Sequence, residues 1–238
     1  MVAPELQVVP DLPALHRAGV DEFSGCAHEA ITARGRFAVA LSGGSTPKGV
    51  YSLLAEANNL PWDKIHFFFG DERNVPPDHP ESNYRMANES LFSKIVVPQQ
   101  NVHRIAAEME AGPAALRYEA ELRAFFGAAE WPRFDLIMLG MGPDGHTASL
   151  FPGSAALNED SRWVVANWVE KFNTYRITLA FPAINHAAEV MFLVAGQDKS
   201  QVLQEVLRGK TQDYPCQRVQ PVNGRLLWIV DKAAARLL

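Results

Sequence analysis

Cysteine is scarce: Cys26 and Cys216 are the only two in 238 residues. Two thiols do not build a disulfide framework, and a pair of free thiols fits a cytoplasmic chain. Neither lies near a histidine in sequence, so a catalytic thiol has no support. Long apolar runs are also missing. No stretch approaches the roughly 18 residues of a membrane span. The start, MVAPELQVVPDLPAL, lacks a basic segment followed by an apolar run, so no secretory leader and no membrane partner are expected. Positive charge is not in surplus. Lys and Arg number 22 against 27 Asp and Glu, a formal net charge of −5. They are scattered rather than clustered, so nucleic acid is not an expected partner. Zinc-type His/Cys spacing, the Walker G-x-x-x-x-G-K-[ST], G-x-G-x-x-G and the G-x-S-x-G nucleophile elbow are all absent.

What remains is an ordinary globular composition, 47% hydrophobic and 21% charged. Its length suits one α/β domain over 1–238. Asp11 predicts the cap of a helix with an apolar face through Leu12, Leu15, Val20, Phe23, Ala27 and Ile31. RFAVAL (36–41), KIHFFF (64–69) and FDLIML (134–139) read as buried strands, and WVVANWV, YRITLAF, EVMFLVA and LLWIV as later ones. Thr46 and Pro47 predict the N-cap and first position of a second helix. Further helices are expected from about Ser82 to Phe92, from Pro113, and around Val202 to Leu207. There is no internal repeat or low-complexity linker. Strands alternating with helices, and apolar throughout, imply α/β architecture: a mainly parallel sheet with helices on both faces. Ligands in such sheets bind beyond the carboxyl ends of the strands.

Three strands here end in glycine and polar groups: SGGST, GDER and GMGPDGH. In the first, Gly43 and Gly44 let the backbone approach a ligand, and Ser42, Ser45 and Thr46 add hydroxyls at a helix start with free N–H groups. The segment reads as a phosphate cradle or as an ordinary tight turn. A helix terminus contributes about 0.3–1 kcal/mol, whereas micromolar to millimolar binding needs about 4–8 kcal/mol. The cradle therefore needs cations, each charge-assisted bond adding about 1.5–3 kcal/mol. Arg73 is the first candidate, the alternative being a local pair with Asp71 or Glu72; Lys48 points either to the ligand or to solvent. In the third segment His146 suits general base work near neutral pH, or is a structural histidine. Asp144 either orients its imidazole or meets the ligand. His66, His79, His103 and His186 have no comparable setting.

The segments LSGGSTPKGVY, FFGDERNVPPDHPESNYRM, FDLIMLGMGPDGHTASLFPG and EKFNTYRITLAFPAIN resemble those of the 6-phosphogluconolactonases, in the same order over most of the chain. The resemblance implies a Rossmann-like fold of the sugar-phosphate isomerase/deaminase type. It also implies hydrolysis of 6-phospho-D-glucono-1,5-lactone to 6-phosphogluconate in the oxidative pentose phosphate pathway, with no metal or organic cofactor. By position, His146 matches the family's general base and Asp144 the acidic residue before it. Arg73, with Asp71 in the same GDER run, falls at the substrate site, although Asp71 and Glu72 either touch substrate or only brace the loop. Lys171 matches a lysine five residues before an arginine, here Arg176. Family members carry prolines after that lysine, where this chain has Phe172, Asn173 and Thr174. The implied partner is a sugar phosphate, and a monomer or weak dimer is expected.

Two other functions compete. Glucosamine-6-phosphate deaminases and related isomerases resemble the chain in sheet, glycine loop and D-G-H motif. They show an MDEY-like run in place of GDER and a glutamate five residues after the histidine, where Phe151 stands here. A sugar-phosphate sensor would keep the cradle but has no need of His146.

Overall fold

The computed structural model describes residues 3–57, 59–209 and 214–238. Its central sheet is built from β1 (Glu5–Val9), β2 (Phe37–Leu41), β3 (Ile65–Phe69), β5 (Leu136–Leu139), β8 (Glu189–Val194) and β9 (Arg225–Asp231). The order is β1-β9-β8-β5-β2-β3, and every neighbouring pair is parallel. Strands β2, β5 and β8 are buried at every position, which explains why they read as unbroken apolar runs.

A smaller sheet holds β4 (Asp71–Arg73), β6 (Val164–Val169) and β7 (Thr174–Leu179), in the order β4-β7-β6 and antiparallel throughout. The expected strands WVVANWV and YRITLAF therefore leave the parallel sheet. A single turn, Glu170–Phe172, closed by Asn173 at φ 48°, joins them. So short a link allows only antiparallel pairing, since a parallel pair needs a long crossover. Gly70 couples the two sheets: its N–H donates to Leu41 O and its carbonyl accepts from Leu179 N, each at 2.9 Å.

Helix α1 (Leu12–Arg34) is capped by Asp11, whose carboxylate accepts from Ala14 N at 2.8 Å, and it ends at Gly35 in the left-handed region. Helix α2 (Ser45–Leu54) departs from expectation. Gly44, at φ 108°, is its N-cap, so Thr46 and Pro47 lie within the first turn. The chain enters α2 through a backbone conformation that threonine avoids and glycine adopts freely. Helix α3 (Asn83–Ser90) starts after Ser82, which caps Arg85 N, and ends early because Leu91 leaves helical geometry. Helix α4 (Ala111–Phe126) begins two residues before Pro113. A short α5 (Phe181–Asn185) starts where YRITLAF was expected to remain a strand. Helix α6 (Ser200–Arg208) buries Leu203 and Val206 as its periodicity predicts. Helix α1 packs on α2, β2 and β9, while α4 packs on β6 and β7.

Aromatic side chains fill the space between sheet and helices. Phe23 meets Phe37 edge-on at 5.3 Å, and Phe192 stacks on Trp228 at 3.8 Å. Each such ring, fully buried, contributes about 1.5–3 kcal/mol. This rigid floor holds the ends of β2, β3, β5 and β8 in fixed relation.

Candidate active site

Two buried tyrosines finish the strands on which the site is built. The Tyr51 hydroxyl accepts from Ser42 N at 3.0 Å and donates to Ser42 O at 2.9 Å, closing the end of β2. Tyr118 does the same for Phe69 at the end of β3, at 2.8 and 3.0 Å. Backbone groups that leave a sheet without strand partners are thereby satisfied, and the loops beyond start from fixed points.

A cavity of about 260 Å³ opens above these ends. From the β2–α2 turn come Gly43, Gly44, Ser45 and Thr46, from β4 come Asp71 and Arg73, and the loop after β5 brings His146. The three glycine-polar strand ends thus face one space. The first turn of α2 carries no acidic residue. Its free N–H groups and the positive end of its dipole lie at the cavity wall. Ser42 also lines the cavity, and its buried hydroxyl has no hydrogen-bond partner among the described residues. Asn83 packs so closely that a Cβ at Gly43 would lie 2.0 Å from its Oδ1.

The GDER run divides its labour. Glu72 is 2% exposed. Its carboxylate accepts from the backbone N–H of Arg73, Asn83 and Tyr84 at 2.7–2.8 Å and from the Ser82 hydroxyl at 3.0 Å. It braces the entry to α3 and does not line the cavity. Burial raises its pKa, and the three backbone donors pull in the opposite direction without cancelling the rise. Asp71 lines the cavity but is already engaged, accepting from the Ser149 hydroxyl at 2.6 Å and from Asn83 Nδ2 at 3.3 Å. Arg73 does not pair with either carboxylate among the described residues. Its Nη1 donates to Glu81 O at 2.5 Å, with the guanidinium on the cavity wall. Arg176 lies opposite Arg73 in the β4–β7 register, and its buried Nε has no partner among the described residues. Burial lowers its pKa, with the nearby Arg73 charge adding to the effect.

His146 is held on three sides. Its Nδ1 pairs with Asp144 Oδ1, the Phe151 ring stacks on it at 4.1 Å, and Gly142 lies against it. A Cβ at Gly142 would lie 2.0 Å from Nδ1. That contact answers why the loop after a buried strand is so rich in glycine: a larger residue occupies the place of the imidazole. A carboxylate only accepts, so Nδ1 carries the proton and the neutral ring keeps its lone pair on Nε2. Burial raises the Asp144 carboxyl, but the hydrogen bond and charge of His146 outweigh it and hold the pKa below its ordinary value.

Lys171 is not brought into the cavity. Its ammonium lies 3.4 Å from Asp144 Oδ2, on the wall of a neighbouring cleft that Asp144 shares. The phenyl ring of Phe172 sits 5.5 Å from that ammonium and 5.3 Å from the Arg176 guanidinium. Lys199 does line the cavity, and sequence reasoning missed it. Its ammonium pairs with Asp198 at 3.2 Å. The signal was a fourth strand end of the same kind, VAGQDK after β8. Among the described residues, the one cluster of three closely spaced metal-ligand atoms involves Glu22, Cys26 and Glu189 and lies outside this cavity.

The family model for glucosamine-6-phosphate isomerases/6-phosphogluconolactonase matches residues 10–228. The chain belongs to this family. Within the glucosamine-6-phosphate isomerase/6-phosphogluconolactonase family, a 6-phosphogluconolactonase of Nostoc sp. is 43% identical over 235 residues, covering 96% of each chain. One from Haemophilus influenzae is 40% identical over 205 residues, covering 84% of this chain and 87% of its own. The solved 6-phosphogluconolactonase from Trypanosoma cruzi superposes with a TM-score of 0.89 at 31% identity, over 100% of this chain and 98% of that one. A monomeric glucosamine-6-phosphate deaminase shares the family fold, with a TM-score of 0.83 at 18% identity over 98% of this chain and 100% of that one.

Proposed function

We propose that the chain hydrolyses 6-phospho-D-glucono-1,5-lactone to 6-phospho-D-gluconate, the lactone-opening step of the oxidative pentose phosphate pathway. One observation carries the reading: a carboxylate-held histidine and a helix-terminus anion cradle face the same cavity, in a chain whose relatives of 40% identity and above bear the lactonase name.

The phosphate is seated on Gly43, Gly44, Ser45 and Thr46, which line the cavity at the start of α2, with Arg73 and Lys199 supplying positive charge. The lactone carbonyl then lies toward His146. Nε2 takes a proton from water as that water attacks C1. Asp144 keeps the ring in the required tautomer and stabilises the imidazolium that forms. Lys171 is assigned to Asp144 rather than to phosphate: it holds the second carboxylate oxygen, so that the first stays on Nδ1. Charge developing on the carbonyl oxygen is met by N–H groups of the glycine loops. The protonated imidazole returns its proton to the departing ring oxygen, and the lactone C–O bond breaks. Asp71 acts through Ser149 and Asn83, shaping the wall. The two free cysteines suit a reducing cytoplasmic compartment.

A deaminase or isomerase reading calls for a glutamate five residues after the histidine to assist it. Phe151 stands at that position, its apolar ring stacked on His146 at 4.1 Å, which favours water activation. The test is a pH-stat assay on freshly generated lactone, beside an ammonia-release assay on glucosamine 6-phosphate. Acid release well above the spontaneous rate, with no ammonia, is the expected result. Ammonia release with no acceleration of lactone opening would overturn the assignment.

A further inference from the structure

The cavity lies at the carboxyl ends of the strands. The opposite edge of the same sheet holds a second concentration of polar groups. Glu5 begins β1, Glu189 begins β8 and Arg225 begins β9, with Glu189 and Arg225 in register. Helix α1 adds Glu22 and Cys26, one turn apart and hence on one face. A carboxylate oxygen of Glu22, one of Glu189 and the Cys26 sulfur all lie within 4.8 Å of one another.

Arg225 does not complete this cluster. Its Nε and Nη2 are taken by Glu5, at 3.0 and 2.8 Å. Only Nη1 reaches inward, to Glu22 Oε1 at 2.5 Å and Glu189 Oε2 at 3.0 Å. One guanidinium therefore serves three carboxylates. Glu189 is 7% exposed, and its Oε1 is buried with no hydrogen-bond partner among the described residues. Burying such an oxygen is costly, and a cation seated beside it offsets that cost.

We propose that Glu22, Cys26 and Glu189 bind a borderline-soft divalent metal ion of the Zn²⁺ type, with Glu189 Oε1 and Cys26 Sγ as its principal ligands. The donor set selects the metal. A thiolate favours zinc-like ions, whereas magnesium and calcium require oxygen ligands alone. Small side-chain rotations bring the three atoms to the roughly 2.0–2.3 Å that Zn²⁺ requires, and the fourth tetrahedral position takes water. On binding, a metal–sulfur bond forms and the thiol proton passes to solvent; nothing is oxidised or reduced. Arg225 stays on Glu5, on Glu22 Oε1, which also faces the Cys26 sulfur at 3.8 Å, and on Glu189 Oε2, orienting the ligating groups. The ion ties α1 to β8, at the end of the sheet away from the cavity. Its effect falls on stability by mass action, and the lactonase reading does not depend on it.

The test uses the full chain, stripped with chelator and titrated with Co²⁺ and then Zn²⁺. One Co²⁺ per chain should give near-ultraviolet thiolate-to-cobalt charge-transfer absorption, bleached by one equivalent of Zn²⁺, and Zn²⁺ should raise Tm. Cys26→Ser should abolish the band while Cys216→Ser keeps it. Glu189→Gln should weaken Zn²⁺ binding at least about tenfold; Glu22→Gln serves the same purpose if that variant does not fold. Absence of the band at stoichiometric Co²⁺, or a band that survives Cys26→Ser, overturns the proposal.

Discussion

Glu72 accepts four hydrogen bonds inside the protein, so replacing one oxygen by an amide nitrogen sets a donor against donors. Glu72→Gln should lower stability by about 2–3 kcal/mol in urea unfolding, although the residue lies next to the cavity without lining it. Gly142 makes the opposite kind of prediction. Alanine there must displace the imidazole, since its Cβ would lie 2.0 Å from His146 Nδ1. Gly142→Ala should reduce kcat by about 10²-fold or more while circular dichroism and Tm change little. Lys199 separates from both. With a charge-assisted bond at about 1.5–3 kcal/mol, Lys199→Ala should raise KM about 10- to 100-fold and leave kcat nearly unchanged. At this scale the sequence marked His146, Asp144 and Arg73 through their motifs, because glycine and histidine beside a buried strand are costly without a use. It said nothing of Lys171 turning to Asp144, because that depends on which distant element lies opposite.

Between elements, the pinned strand ends matter most. Tyr51 reaches from α2 back to both backbone groups of Ser42. In Tyr51→Phe those groups lose their partner in a buried setting, so stability should fall by about 1–3 kcal/mol and KM should rise as the cradle loosens. Differential scanning calorimetry and initial rates measure both effects. Parallel strands β2, β3, β5, β8 and β9 were legible because burial on both faces leaves long apolar runs, with polar residues mostly at the strand ends. Strand β1 was not: four of its five residues are exposed, and its place depends on pairing with β9 at the far end of the chain. Strand β4 was read only as the polar end of β3 because three residues carry no periodicity, and its partner β7 lies about a hundred positions away. The start of α2 was misplaced because Thr46-Pro47 satisfies local capping rules, while Gly44's backbone angle, invisible in sequence, decides the entry.

For the molecule as a whole, a continuous set of buried side chains runs from Val9 to Ala234, and we therefore read the chain as one domain. Its net charge of −5 repels a dianionic ligand at long range, so binding rests on the local cations, and added salt should weaken it. Acid stability has an identifiable contributor. Burial, then His103 and Arg36, push His66 down to about 4, whereas an unfolded chain titrates near 6.5. The unfolded state takes up that proton first. The stability from neutral His66 is therefore full above about pH 6.5 and is lost as pH falls toward 4. Urea midpoints measured between pH 7 and 4.5 should fall less steeply in His66→Gln than in the parent. The account as a whole stands on His146 priming water beside a seated phosphate. The most direct measurement compares lactone opening by the parent and by His146→Ala, with 6-phosphogluconate affinity from calorimetry on both. The account predicts that the substitution removes about 10²- to 10⁴-fold of the acceleration while product binding stays within a few-fold. Undiminished hydrolysis by His146→Ala would contradict it.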